Sequence, residues 1–136
     1  MFDTRFAMTI SAGFPRPLSE REKAVLRFIL SVDDERVLPL REQAEFVVAT
    51  GKCPCGCATI DLELDRSRAK PAVGLSDCRM AIESNGPGSE TSAIFSFLLF
   101  LDHGWLDSLE IAYLGPVPPA EFPSVDGFDP PVVSCL

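Results

Sequence analysis

Apolar residues along this chain recur first with the period of a helix and later with the period of a strand. Val25, Phe28, Ile29 and Val32 fall at the spacing of one buried helical face, and Leu26 and Leu30 widen that stripe. Ser19 opens the segment as an N-cap, and Glu22, three residues on, completes a capping box in S-E-R-E. Asp33, Asp34 and Glu35 break the pattern. Pro39 then suits the first turn of a second helix, where its missing N–H has no helical partner. Leu40, Ala44, Val47 and Val48 form that helix's stripe, and Gly51 is its expected stop.

Beyond Gly51 the period changes. Ile60, Leu62 and Leu64 alternate with Thr59, Asp61, Glu63 and Asp65, which predicts a strand with one buried and one wet face. Cys78, Met80 and Ile82 alternate with Arg79, Ala81 and Glu83 in a weaker strand, ended by a loop of Asn85, Gly86, Pro87 and Gly88 in which mobility is expected. Residues 93–101 are almost continuously apolar and predict a central strand covered on both faces or close to it. Asp102, His103 and Gly104 make a turn, with Gly104 supplying the positive φ of a bulged hairpin. The return strand, 105–114, places Leu109, Ile111 and Tyr113 on one face and Ser108, Glu110 and Ala112 on the other.

The tail, GPVPPAEFPSVDGFDPPVVSCL, is too rich in proline for a helix or for most sheet pairing, although Phe122, Phe128, Val132 and Val133 can pack it onto the body as a strap. The expected fold class is α+β: two N-terminal helices packed on a four-stranded, mainly antiparallel meander sheet, with a Pro-rich C-terminal tail. Residues 1–136 read as a single domain, with an extended arm (1–17), a helical part (18–50), the sheet (58–114) and the tail (115–136).

Composition adds bounds to this picture. A chain of 136 residues buries roughly two-thirds of its unfolded surface and needs no metal or disulfide to fold. With 20 acidic against 12 basic residues, the net charge of −8 repels phosphate backbones and anionic lipid, so neither nucleic acid nor a membrane is an expected partner. A basic protein is the partner class that such a surface steers. The N-terminal segment MFDTRFAMTISAGFPRP shows no secretory pattern, and the run 93–101 is too short to cross a bilayer as a helix. A cytoplasmic location with reduced thiols is therefore expected, and the odd count of five cysteines argues against a complete set of internal disulfides.

The unusual chemistry is concentrated in GKCPCGCATIDLELD, expected as a turn from helix to strand. In extended backbone, positions two apart point the same way, so Cys53, Cys55 and Cys57 can converge on a soft metal ion such as zinc. A fourth ligand is then needed, and Cys78, Cys135 or His103 can supply it. The usual structural zinc pattern has two residues between paired cysteines, whereas here only Pro54 and then Gly56 intervene. Two other readings stand beside this one: small half-buried structural thiols, and a reactive or redox cysteine, for which Lys52 is the only adjacent cation. His103, the sole histidine, sits in a hairpin turn and reads as solvated rather than as a catalytic base. No nucleophile elbow, phosphate-cradling loop or dinucleotide fingerprint is present. The acidic residues Asp61, Glu63 and Asp65, joined by Asp107 or Glu110, form a candidate surface for a basic partner, or the wet side of an ordinary sheet.

Three segments taken together, LSEREKAVLRFIL, GKCPCGCATIDLELD and LLFLDHGWLDSLEIAYLGPVPPAEFP, resemble a family of small uncharacterised actinobacterial proteins. The shared features are an opening helix, a C-x-C-G-C turn into a strand, and a D-x-G-x-L-x-S-L-E hairpin before a Pro-rich end. The resemblance spans most of the chain. It implies the architecture and a shared role for Cys55, Gly56 and Cys57, and it implies no activity. The first functional expectation is a non-enzymatic protein-binding module, immunity-like, antitoxin-like or regulatory. The alternatives are a zinc or other metal-thiolate module, with Cys53, Cys55, Cys57 and Cys78 as ligands, and a thiol-dependent enzyme or redox sensor.

Overall fold

The computed structural model describes residues 13–86 and 94–136. The expected arm lies outside the described residues as far as position 12, and so do Pro87 and Gly88 of the expected mobile loop. Among the described residues the chain forms two α-helices and one six-stranded antiparallel sheet, an α+β arrangement.

Helix α1, Glu20–Ile29, begins where the capping box places it. Ser19 Oγ accepts from the Glu22 N–H at 3.2 Å, and Glu22 Oε1 accepts from the Ser19 N–H at 2.8 Å. Glu22 also takes two hydrogen bonds from the Arg16 guanidinium, at 2.7 and 2.9 Å, so a nearly buried carboxylate is held by both its cap and an ion pair. Burial pushes the Glu22 carboxyl up, but Arg16 and Ser19 together outweigh it and leave the group below its ordinary 4.5. Val25, Leu26 and Ile29 are buried, and the helix packs against strands β3 and β4, defined below.

The second helix is shorter than the stripe predicts. Helix α2 is Leu38–Gln43, with Pro39 in its first turn, and the chain then turns through Ala44–Phe46 into strand β1, Val48–Lys52. Val47, Val48 and Thr50 are β-branched, lose rotamer freedom in a helix and fit a pleated surface. Gly51 is therefore not a helix stop. It sits in β1 opposite Asp61, where a Cβ would come within 2.9 Å of the Asp61 carboxylate.

Strands β2 (Ile60–Glu63), β3 (Met80–Gly86), β4 (Phe95–Asp102), β5 (Trp105–Tyr113) and β6 (Val132–Val133) complete the sheet, in the order β1-β2-β5-β4-β3-β6. This corrects the four-stranded meander. Strands β3, β4 and β5 do follow one another as neighbours, but β2 lies beside β5, so the 64–79 connection returns across the sheet in Greek-key fashion. The two added strands come from residues assigned to a helix and to an unpaired tail.

Along β4, Phe95, Phe97, Leu99 and Leu101 are buried while the alternating Ser96, Leu98, Phe100 and Asp102 are half-buried, so one face is sealed and the other only partly covered. The β4–β5 turn has two residues, His103 and Gly104, with φ of 49° and 87°. Positive φ at both positions matches the strand twist, and no bulge is needed in the loop. The irregularity lies in the strands instead, where Phe100 pairs with Ser108 and Leu101 with Leu106, leaving Asp107 as the extra residue. Such an insertion shifts the alternation by one, so Leu106 and Leu109 are both buried despite their odd spacing.

The tail wraps the body. Phe122 is buried with its ring edge-on to Phe97 at 6.0 Å, and Phe128 stacks on Phe97 at 4.0 Å. Arg21 donates to the Phe122 carbonyl at 2.9 Å, tying the tail to α1. Prolines end at Pro131, and the two valines that follow pair with Ile82 and Glu83 as the edge strand β6, which the proline content had argued against.

Gln43 joins the end of α2 to two remote segments, the β2–β3 connection and the β4–β5 hairpin. Its side chain is fully buried; Nε2 donates to the carbonyls of Lys70 (2.9 Å) and Gly104 (3.0 Å), and Oε1 accepts from the Leu106 N–H (2.9 Å). Gly104 also accepts from the Ala72 N–H at 2.9 Å, and a Cβ there would meet the Ala72 carbonyl oxygen at 2.8 Å. Replacing Gln43 with Leu leaves the buried Leu106 N–H and the part-buried Lys70 carbonyl without this partner, at about 1–3 kcal/mol each, while the Gly104 carbonyl keeps the Ala72 N–H. Urea unfolding of Gln43→Leu should accordingly show a loss of roughly 3–5 kcal/mol; a loss under 1 kcal/mol, an estimate on the same scale, contradicts the role assigned to this side chain.

Glu22 sets a pH dependence. Its folded-state value lies below 4.5, so its stabilisation is fully present above 4.5 and is lost as pH falls through the lower, folded value. The stability difference between the wild-type chain and Glu22→Gln should therefore shrink on acidification below pH 4.5, measured by denaturant titration at a series of pH values.

Candidate metal centre

The cysteine segment is the loop of the β1–β2 hairpin, not a helix-to-strand turn. The Cys53 N–H donates to the Thr59 carbonyl at 3.1 Å and closes the loop, and Thr59 Oγ1 accepts from the Ile111 N–H at 3.0 Å, fastening it to β5. Inside it, the Gly56 N–H donates to the Cys53 carbonyl at 3.1 Å, making a β-turn with Pro54 at its second position. Proline presets φ there, and Gly56 at φ 92° supplies the left-handed residue that reverses the chain toward Cys57.

That turn gathers the three thiols. The Sγ atoms of Cys53, Cys55 and Cys57 all lie within 4.8 Å of one another, with Cys53 and Cys55 in direct contact at 2.9 Å, well beyond the roughly 2.05 Å of a disulfide. Cys57 is buried beside Ala58, Cys53 is half-buried and Cys55 is exposed, so the cluster runs from the core edge to solvent. The Cys57 N–H donates to Cys55 Sγ at 3.3 Å and fixes that sulfur over the turn. Three sulfurs this close repel one another when ionised, and a cation between them removes the repulsion.

The other nominated ligands stand elsewhere. Cys78 is disulfide-bonded to Cys135, so neither sulfur is available to the cluster in this state. Among the described residues no histidine or carboxylate joins the group. His103 is an exposed turn residue whose Nδ1 lies 2.8 Å from Asp102 Oδ1; His103 and then Arg66 hold the Asp102 carboxyl below its ordinary 3.8. Lys52, the cation next to the loop, donates instead to the Ala120 carbonyl at 3.2 Å.

The Cys78–Cys135 bond departs from the expectation of wholly reduced thiols. Sequence spacing carried no signal for it, because the partners are 57 residues apart and meet only when the tail lies along β3. There the Arg79 and Met80 N–H groups both donate to the Leu136 carbonyl, at 3.0 and 2.9 Å, and the Leu136 N–H donates back to Met80 at 2.8 Å. Closing a loop of that length stabilises the fold by about 4 kcal/mol in the chain-entropy picture.

The acidic residues nominated for a basic partner are spread over β2, the following loop and β5. Asp61 faces Ser108 across the β2–β5 pair and lies over Gly51. Asp65 accepts from the Ser67 hydroxyl and N–H, which lower its carboxyl. Asp107 pairs with Arg79 at 2.8 Å, and Glu110 accepts from the Ser108 hydroxyl at 2.9 Å. Much of this charge is thus engaged within the chain. No helix among the described residues is long and apolar enough to cross a membrane.

No family model, no curated protein and no solved structure matches the chain. The reading of the site therefore rests on its geometry alone.

Thiol counting tests the division of the five cysteines. Denatured, unreduced and metal-free protein should titrate three thiols, those of Cys53, Cys55 and Cys57, and all five after reduction. Five thiols before reduction contradict the disulfide, and one thiol indicates that the cluster itself has oxidised.

Proposed function

We propose that this chain is a metal-thiolate module that holds one soft d10 cation, zinc or copper(I), on Cys53, Cys55 and Cys57. The observation that carries the reading is the convergence of the three Sγ atoms within 4.8 Å on a single hairpin loop. In a zinc-thiolate tetrahedron with bonds of about 2.3 Å, the sulfur–sulfur edge is about 3.8 Å. The separations here, 2.9 Å at one edge and up to 4.8 Å overall, bracket that value.

Cys55 is exposed, so the outer coordination position faces solvent and is available to water or to a donor from another molecule. Three protein ligands with one open position differ from the closed four-ligand arrangement of structural zinc sites. The chain's second covalent device, the Cys78–Cys135 link, supplies stability that a small metal-dependent domain would otherwise draw from the ion. An exchangeable metal, held at the surface of a fold that stands without it, follows from these two facts. Soft thiolates select zinc, copper(I) and iron–sulfur clusters over hard cations, so magnesium and calcium are not candidates.

Elemental analysis and titration with zinc, and with cobalt(II) read by its thiolate charge-transfer absorption, test the proposal. About one metal per chain is expected. Cys53→Ser and Cys57→Ser should lose it, whereas Cys78→Ser/Cys135→Ser should retain it even at reduced stability. Retention in the Cys53 and Cys57 variants, or absence of metal from the wild-type chain, overturns the assignment.

A further inference from the structure

A second feature, independent of the cysteine loop, lies between the C-terminal half of α1 and the segment that links α2 to β1. A cavity of about 940 Å³ opens there. Its volume is at the upper end of the range of small-molecule pockets. Leu26 from α1 and Leu30 at its C-cap, with Ala44 and Val47 from the linking segment, give it an apolar lining.

Its charge runs against the rest of the protein. In a chain of net charge −8 with only 12 basic residues, four of them, Lys23, Arg27, Arg41 and Arg68, line this one cavity, and Glu45 is the single acidic residue among the lining groups. Lys23 and Arg27 are four residues apart on α1 and so share one helical face. Two of the guanidiniums are held in place. Arg41 donates to the carbonyls of Leu30 (2.7 Å) and Val32 (2.9 Å), and Arg68 stacks over the Phe46 ring at 4.3 Å. Four like charges around one concavity repel one another, and an anion among them turns that repulsion into attraction. Fixed guanidiniums also lose little entropy on binding a planar or tetrahedral oxyanion head.

We infer that this cavity binds a small amphipathic anion, whose carboxylate or phosphate head meets Lys23, Arg27, Arg41 and Arg68 while its apolar body lies against Leu26, Leu30 and Val47. Both parts are required. A head alone leaves the apolar lining wet, and a neutral chain brings no counter-charge to a rim whose one ion pair among the described residues is Lys23 with exposed Glu20 at 3.6 Å.

Isothermal titration calorimetry of the full chain with dodecanoate, dodecyl phosphate, dodecanol and inorganic phosphate separates these contributions. The inference expects saturable binding of one dodecanoate or dodecyl phosphate per chain, and the tighter of the two identifies the head group. Dodecanol and inorganic phosphate should each bind at least roughly tenfold more weakly. Lys23→Gln/Arg27→Gln replaces exposed positions on α1 and leaves its buried face intact. It should weaken the anion by roughly tenfold or more and flatten the salt dependence. Ala44→Phe, which fills the cavity without removing charge, should abolish binding, with circular dichroism checking that both variants stay folded. Equal affinity for dodecanol, equal affinity for inorganic phosphate, unchanged binding in the charge variant, or no saturable binding of either anion overturns the inference.

Discussion

The buried carboxamide of Gln43 is the constraint on which the arrangement of this fold depends. The β4–β5 turn and the long β2–β3 connection bring backbone groups to the end of α2, and this side chain meets the Lys70 carbonyl, the Gly104 carbonyl and the Leu106 N–H at once. Burying such groups without partners is unfavourable, so this side chain holds the turn and the connection against the end of α2. The two-residue turn at His103 and Gly104 is held in the same place by Ala72, which approaches too closely for any side chain at Gly104. From this point β4 and β5 extend as the centre of the sheet, with β2 added on one side and β3 on the other.

The hairpin that carries the cysteines is a consequence of that order. β2 is fixed against β5, β1 pairs with β2 on one side and through Ala49 with Arg16 on the other, and the cysteine loop joins β1 to β2 beyond the paired residues. The five cysteines thereby fall into two sets with different chemistry. Three are gathered by a Pro-Gly turn into a cluster open to solvent, and two are joined where the tail crosses β3. Separating a covalent link from a group of free thiols allows the stability of the domain and the state of the cluster to vary independently.

Charge is divided in a similar way. The acidic excess is distributed over the strands and loops, where Asp65, Asp107 and Glu110 find partners within the chain. Four cations gather instead around the cavity beside α1. A net charge describes the long-range field and the partners it steers, but a concave site answers to the groups that line it.

What the sequence determined by itself was whatever depends on neighbours along the chain. The Ser19–Glu22 capping box, the Val25, Leu26 and Ile29 stripe of α1, the alternation in β2 and the positive φ of Gly104 in the β4–β5 turn all express contacts within a few residues and stand where the pattern placed them. Strand β4, expected to be covered on both faces or close to it, alternates instead between a sealed face and a partly covered one. The nearness of Cys53, Cys55 and Cys57 was legible from their alternate spacing, although the β-turn through Pro54 and Gly56, and not extended backbone, is what brings the sulfurs together. Residues 44–52 were misread because apolar spacing there fits a helix as well as a strand, and only pairing with β2 decides between them. Pairing in the tail was hidden by its prolines until Val132 and Val133 found the free edge of β3. The Cys78–Cys135 bond, the Greek-key order, the Gln43 junction and the basic cavity join residues tens of positions apart. Those features belong to the tertiary structure alone, because burial and pairing between distant segments are chosen by the whole core and leave no local period to read.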